Sequence, residues 1–300
     1  MIPAAFAYHR PRTVQAALRL LLAHGHDAKI LAGGQSLLPM MKLRVATPAH
    51  LIDIGRVASL RGIRLRQGVL RIGAMATHRE IESSPRVRRA APVLAETAAV
   101  IGDLQVRNLG TFGGALMHAD PVADYPATVL ALDAEFTLLG PDGARTVPAA
   151  EFFLGLMTTA AGPDELMTEI AIPAAPPRFG AAYMKMPNPA SGFALTGVAA
   201  VIGLDPSGRC VHVRVGITGV ASAAYRAFGV ETALAGAEPT DEALAHAAAA
   251  AADGVEANSD IHAGAEYRAH LAVVLTRRAL TLARDRATAV RRRGRSTSRA

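Results

Sequence analysis

Two separated glycine turns constrain this chain more than any other feature. Ala32-Gly33-Gly34-Gln35-Ser36 follows the apolar Ile30-Leu31 and precedes a helix-compatible run, Leu37 to Leu43. Gly110-Thr111-Phe112-Gly113-Gly114 runs on into His118-Ala119-Asp120-Pro121 and Asp124. Adjacent glycines leave no Cβ between backbone N–H groups and a ligand, and a helix start beside such a turn adds a field favourable to anions. One Gly-Gly among 27 glycines reads as an ordinary turn. The repeated order, a strand-like run, a small-residue turn carrying a hydroxyl (Ser36, Thr111), then an apolar segment, makes the two turns readable as halves of a pyrophosphate cradle.

The chain around them alternates at first and then changes grammar. Thr13 can cap a helix whose apolar face is Val14, Ala17, Leu18, Leu21 and Leu22, with Gly25 as its stop. Lys29 to Leu31 and His50 to Ile54 read as strands, which closes a small α/β lobe near Arg56. Beyond Leu60, hairpin signals at Gln67-Gly68 and Pro141-Asp142-Gly143 mix with helical runs at Thr77 to Glu82, Pro85 to Arg89, Val93 to Val100 and Tyr125 to Leu132, and Leu166 to Ile172 reads as a further strand. Such a mixture argues against a regular doubly wound sheet. Ala174 to Arg178, with Pro176-Pro177, is the linker candidate. After it come strands at Ala181 to Met186, Ala194 to Leu204 and Val211 to Thr218, then helices at Ala223 to Leu234, Asp241 to Ala252 and Tyr267 to Arg286, an α+β order. The expected organisation is therefore 1–175 as a two-lobed domain (lobes about 1–56 and 57–175), 178–286 as an α+β domain, and 287–300 as a basic, disordered tail.

Composition removes several functions. At 51% hydrophobic and 19% charged the chain is globular, and with 4% aromatics and no Trp its core must be built of Ala, Leu, Val and Ile. Its apolar stretches are broken before membrane-spanning length, and Met1 to Arg12 lacks an apolar signal segment, so a cytoplasmic protein without a transmembrane segment is expected. The single cysteine, Cys210, excludes an internal disulfide and any all-cysteine iron-sulfur or zinc site. Much of the formal net charge of +7 sits on Arg284, Arg286, Arg291, Arg292, Arg293, Arg295 and Arg299; the rest is close to neutral, so no nucleic-acid partner is expected. No Gly-x-Ser-x-Gly elbow, His-Glu-x-x-His pair or Gly-Lys-Ser/Thr phosphate loop is present. The ten histidines show no metal-ligand spacing, and His9, His78, His118, His212 and His262 read as structural or solvated, so no metal site is expected.

Two further positions stand near the turns or the linker. Asp120 and Asp124 can cap the helix that starts near Tyr125, or hold a sugar hydroxyl or the polar edge of a ring beside the cradle. Lys185, in Tyr183-Met184-Lys185-Met186, is either the outward residue of a strand or a group reaching into an interlobe cleft.

Taken together, Ala32 to Lys42, Asp53-Ile54, Ile72-Gly73-Ala74, and Gln105 to Gly114 with Ala119-Asp120-Pro121 and Asp124 resemble the medium, FAD-binding subunit of molybdenum hydroxylases, the group of aerobic carbon monoxide dehydrogenase and xanthine dehydrogenase. The likeness covers about residues 1 to 286, with Phe112 in place of the usual Ile or Val and Ser222-Ala223-Ala224 in place of a Thr-Pro pair. It implies an α+β protein: a two-lobed FAD-binding domain of the vanillyl-alcohol oxidase (PCMH) type, then a C-terminal domain of the CO dehydrogenase flavoprotein type. It further implies that Ala32, Gly33, Gly34, Gln35, Ser36 and Leu37, together with Thr111, Gly113 and Gly114, hold the FAD pyrophosphate. Asn108, Asp120 and Asp124 are implied as further cofactor contacts, Met167 as a side chain against the ring system, and Lys185 as a neighbour of the isoalloxazine.

The function that follows is an electron-transfer subunit with no catalytic side chain of its own. FAD is held non-covalently, while [2Fe-2S] clusters belong to a small partner subunit and molybdopterin to a large one, in a dimer of heterotrimers. The acceptor is NAD, quinone or dioxygen. The competing expectation is a self-contained flavin oxidase or dehydrogenase of the same cofactor fold.

Overall fold

The computed structural model describes residues 1–176 and 178–296. The first lobe contains β1 (Ala7–His9), α1 (Val14–His24), β2 (Ala28–Leu31), α2 (Leu37–Lys42) and β3 (His50–Asp53). Thr13 caps α1 by accepting the Ala16 N–H at 3.1 Å, and Gly25, at φ +50°, ends it. Val14, Ala17, Leu18 and Leu21 are buried as their spacing requires, whereas Leu22 points to solvent. The strands form a parallel sheet in the order β1-β3-β2, and the first glycine turn leaves the C-terminal end of β2.

The second lobe holds β4 (Ile63–Arg66), β5 (Val69–Gly73), α3 (His78–Ser83), α4 (Pro85–Ala90), α5 (Pro92–Ala99), α6 (Leu104–Leu109), α7 (Phe112–His118) and α8 (Asp124–Ala131). It continues through β6 (Glu135–Gly140), β7 (Gly143–Pro148), the small hairpin β8 (Phe153–Gly155) and β9 (Thr158–Thr159), and β10 (Leu166–Ile172). Its sheet is antiparallel in the order β4-β5-β10-β6-β7, so the last strand inserts at the centre and closes the lobe. Gln67 and Gly68, at φ +50° and +81°, supply the left-handed pair that a tight hairpin needs. Ile72, Phe112, Tyr125, Phe136, Phe152 and Ile170 fill the core, with Phe136 and Phe152 edge to face at 4.6 Å.

The C-terminal domain opens with β11 (Phe179–Pro187), β12 (Ala194–Leu204), β13 (Cys210–Thr218) and β14 (Tyr225–Arg226), an antiparallel sheet in that order. The helices α9 (Phe228–Leu234), α10 (Asp241–Ala248) and α11 (Ala265–Ser296) cover one face through Val198, Ile202, Val213, Ile217, Leu244, Leu275 and Leu280. Helix α8 of the second lobe covers the other, with Ala127 and Ala131 against Ala181, Ala199 and Val201. Backbone touches backbone on both faces. A Cβ at Gly180 would lie 1.9 Å from the Ala283 carbonyl oxygen of α11, and one at Gly216 would lie 2.0 Å from that of Ala127.

Three expectations change. The second glycine turn, read as a turn alone, lies between α6 and α7 and contains the start of α7, because Thr111 caps a helix inside it. The short strands β1 and β14 are too brief to show a period in sequence, and β14 occupies the start of what reads as a helix from Ala223. The chain does not turn into a tail at residue 287: α11 runs to Ser296 and Ala287 is fully buried in the domain core. Residues 297–300 of the expected tail lie outside the described residues.

Candidate functional site

The two glycine turns meet. A Cβ at Gly33 would stand 2.3 Å from the Leu109 carbonyl oxygen and 2.7 Å from Gly110 Cα, and one at Gly114 would stand 2.6 Å from Thr111 Oγ1 and 3.3 Å from Ala32 Cβ. The first turn belongs to one lobe and the second to the other, so these glycines let the lobes close on each other backbone to backbone. Gly113 is pressed in the same way on Ala74, 2.5 Å from its Cβ. Gly34 is glycine for a second reason, a left-handed φ of +74°.

Accounting for backbone donors separates the roles of the turns. The N–H groups of Gly33, Gly34, Gln35, Ser36 and Leu37 make no hydrogen bond to the described residues; the nearest helical bond is Leu38 N–H to the Gly34 carbonyl at 3.1 Å. Ser36 stands at the N-cap of α2 without a side-chain capping bond, and the Gln35 amide donates to the Gly33 carbonyl at 3.4 Å. In the second turn three successive donors are spent, and only Thr111 N–H is left without a partner among the described residues. Phe112 N–H goes to the Ala76 carbonyl and Gly113 N–H to that of Ala74, both at 2.8 Å, and Gly114 N–H goes to Thr111 Oγ1 at 3.3 Å. A run of five free donors from the first turn, buttressed by the second, has the chemistry to hold a doubly charged oxyanion group.

The remaining sequence candidates divide. Asn108 is exposed at the end of α6, next to Leu109, which touches the first turn. Asp120 accepts the Val122 N–H at 3.0 Å and stands 4.0 Å from His118 Nε2, so it organises its own turn. Neither aspartate caps α8, whose N-cap is Ala123 with no side-chain bond. Asp124 is buried. Its carboxylate takes hydrogen bonds from Tyr183 Oη at 2.6 Å and Lys185 Nζ at 2.9 Å, and burial pushes its pKa up against the pull of Lys185 and Tyr183. Lys185 also donates to the Val100 carbonyl at 3.1 Å. Asp124 and Lys185 are thus brought to each other across the seam between the domains. Met167 is 4% exposed inside the second lobe's core and offers a ligand almost no surface, because the bulge between Met167 and Glu169 shifts the phase of β10 and sets Met167 on the core face with Ile170 and Ile172.

His78 was missed by the sequence reasoning as part of this region. It begins α3, its N–H donates to the Gly110 carbonyl at 3.0 Å, and a Cβ on Gly110 would lie 2.5 Å from its Nε2. Tyr125 meets it edge-on, and burial lowers its pKa to about 4, so it is a neutral wedge beneath the second turn. No period or spacing marks it, since the contact is made by chain segments thirty residues apart.

The glycines, the five free donors and the hydroxyl of Ser36 fit the pyrophosphate of a dinucleotide such as FAD, which requires backbone N–H groups at close approach. Comparison with known proteins agrees. The FAD binding domain in molybdopterin dehydrogenase matches residues 4–175, and the CO dehydrogenase flavoprotein C-terminal domain matches residues 181–283. The carbon monoxide dehydrogenase medium chain of Hydrogenophaga pseudoflava is 45% identical over 284 residues, spanning 94% of this chain and 98% of that one. The 6-hydroxypseudooxynicotine dehydrogenase complex subunit alpha of Paenarthrobacter nicotinovorans is 37% identical, over 96% and 97% of the two chains. Among solved structures, Hydrogenophaga pseudoflava carbon monoxide dehydrogenase superposes with a TM-score of 0.93 at 46% identity, covering 95% of this chain and 99% of that one. Quinoline 2-oxidoreductase from Pseudomonas putida 86 gives 0.89 at 33% identity, over 96% and 99%. With both domains matched in order and close relatives aligned over nearly the whole chain, the chain belongs to the FAD-binding medium subunits of the molybdenum hydroxylase family, an oxidoreductase subunit.

Proposed function

We propose that this chain is the electron-transfer link of a three-subunit molybdenum hydroxylase. A large partner subunit oxidises substrate at a molybdopterin centre, a small one relays electrons through [2Fe-2S] clusters, and this chain delivers them to NAD, quinone or dioxygen, in a dimer of heterotrimers. FAD, held non-covalently, supplies the two-electron to one-electron chemistry. The observation that carries the reading is the run of free N–H groups from Gly33 to Leu37 beside the contact of Gly33 with Leu109 and Gly110.

What the chain's residues do is hold and exclude. The first turn donates to the pyrophosphate, with Ala32 and Ser36 at its ends. Thr111, Gly113 and Gly114 fix the second turn against it, and Asn108 and Asp120 lie on the segments that flank that turn. The chain has nothing with which to ligate a cluster: Cys210 is its one cysteine, it is buried, and burial pushes its thiol up to about 11. No helix among the described residues is long and apolar enough to cross a membrane.

The purified chain, loaded with FAD and kept anaerobic, is expected to show no flavin bleaching with carbon monoxide, aldehydes or N-heterocycles. Bleaching is expected once the small and large subunits are added. Substrate-driven bleaching of the single chain, free of molybdenum, would replace this reading with a self-contained flavin enzyme.

A further inference from the structure

Three imidazoles meet at the end of the first lobe away from the cradle. His9 ends β1, His24 ends α1 and His50 begins β3. In the register of the sheet Ala7 lies beside His50 and His9 beside Ile52, so His9 and His50 project from one face as diagonal neighbours. Helix α1 packs on β2 and β3 and brings His24 onto the same spot. On its other side His50 adjoins Ala28, the first residue of β2, whereas the glycine turn leaves the far end of that strand.

The geometry is tight. His9 Nε2 and His50 Nδ1 are 3.0 Å apart, the rings of His24 and His50 stack with centroids 3.6 Å apart, and the His9 and His24 centroids are 5.2 Å apart. One donor nitrogen of each ring falls within 4.8 Å of the other two. All three side chains are half-buried. An imidazole offers a metal ion of borderline softness a nitrogen lone pair, and three such nitrogens stand around one centre here.

We propose that His9, His24 and His50 bind one divalent transition-metal ion, Zn²⁺, at this surface site. A zinc ion bonds imidazole at about 2.0–2.1 Å, which spaces tetrahedral donors by about 3.4 Å. His9 and His50 are within half an ångström of that, and His24 reaches it by turning its ring out of the stack with His50. Water, or the carboxylate of Asp27 in the turn after α1, completes the shell. The ion ties the short edge strand β1 and the end of α1 to β3, and so holds together the lobe that carries the first glycine turn.

The test uses the untagged, full-length, FAD-loaded protein after treatment with a chelator. Zn²⁺ is titrated against a chromophoric competitor, and Co²⁺ is used as the visible-absorbing stand-in. Expected are one Zn²⁺ per chain with roughly micromolar affinity or better, a nitrogen-ligated Co²⁺ band, and a Zn²⁺-dependent rise in melting temperature. His24→Gln should weaken binding by at least about tenfold, the size of effect that loss of even an outer-shell partner produces. It should also abolish the thermal shift and leave the flavin-to-protein ratio unchanged. His246→Gln, on α10, should bind as the parent does. Absence of stoichiometric Zn²⁺ binding by the parent, or undiminished affinity in His24→Gln, overturns the proposal. Because His24 is the last residue of α1 and lies outside the sheet, its variant remains informative even if His9→Gln and His50→Gln fail to fold.

Discussion

Lys185 Nζ lies 2.9 Å from the Asp124 carboxylate, across the seam between the C-terminal sheet and helix α8, with the two side chains 7% and 4% exposed. Tyr183, two residues earlier on the same strand, donates to the other oxygen at 2.6 Å. This triad clamps the C-terminal domain onto the lobe that carries the second glycine turn. Removing one member of such a buried pair leaves the other without compensation. Lys185→Met is expected to cost about 3–5 kcal/mol in urea unfolding. The double variant Asp124→Asn/Lys185→Met should recover part of that loss. A loss in the double variant equal to the sum of the losses in Asp124→Asn and Lys185→Met would mean that the pair carries no coupling.

The contact between the turns predicts that a single methyl group opens the cradle. Gly33→Ala places a Cβ on the Leu109 carbonyl, a backbone atom that cannot swing aside, and the strain is of the order of 1–3 kcal/mol. Flavin occupancy after gel filtration should fall sharply while the far-ultraviolet circular dichroism keeps its native shape. Gly114→Val, which crowds Thr111 Oγ1 and Ala32, should do the same, and full occupancy in either variant would remove the turns from the binding site.

Mode of attachment is checked by acid. No cysteine or histidine stands in either turn, so trichloroacetic acid should release all the flavin into a yellow supernatant. A colourless supernatant over a yellow pellet would establish a covalent link instead.

The buried His78 predicts a pH dependence. Its folded pKa is about 4 against 6.5 when unfolded, so the unfolded chain takes up the proton first as pH falls. Its contribution to stability is whole above pH 6.5 and is lost progressively between 6.5 and 4, by about 3 kcal/mol in all. The difference in unfolding free energy between the parent and His78→Gln should shrink across that window, and a difference constant with pH would place the proton elsewhere.

At the other face of the C-terminal sheet, Gly180→Ala drives a Cβ into the Ala283 carbonyl of α11. We expect a loss of about 1–3 kcal/mol in the urea unfolding of the C-terminal domain, with unchanged flavin content because the site lies far from either turn. Loss of flavin in proportion to the loss of stability would show that the two domains unfold together.

The sequence by itself determined the elements whose cause is local. Thr13 and Gly25 bound α1, Gln67-Gly68 bends the first hairpin of the second lobe, and the short, mostly apolar run Leu166 to Ile172 makes β10, all from side chains within a few residues. It also determined the family, because Ala32 to Ser36 and Gly110 to Gly114 keep their flanks in order, and it excluded clusters and disulfides through one cysteine. Tertiary structure alone decided what those residues meet. Gly33 is glycine because Leu109 arrives there from another lobe, and the run of free donors lies in the first turn because Ala76 and Ala74 take the Phe112 and Gly113 N–H groups of the second. Asp124 and Lys185, sixty-one residues apart, neutralise each other, and Met167 turns inward. The histidines of β1, α1 and β3 show no spacing in sequence and come together because a parallel sheet sets β1 beside β3 while its crossover helix ends above them. Contacts of this kind depend on packing between distant segments, which no local pattern encodes.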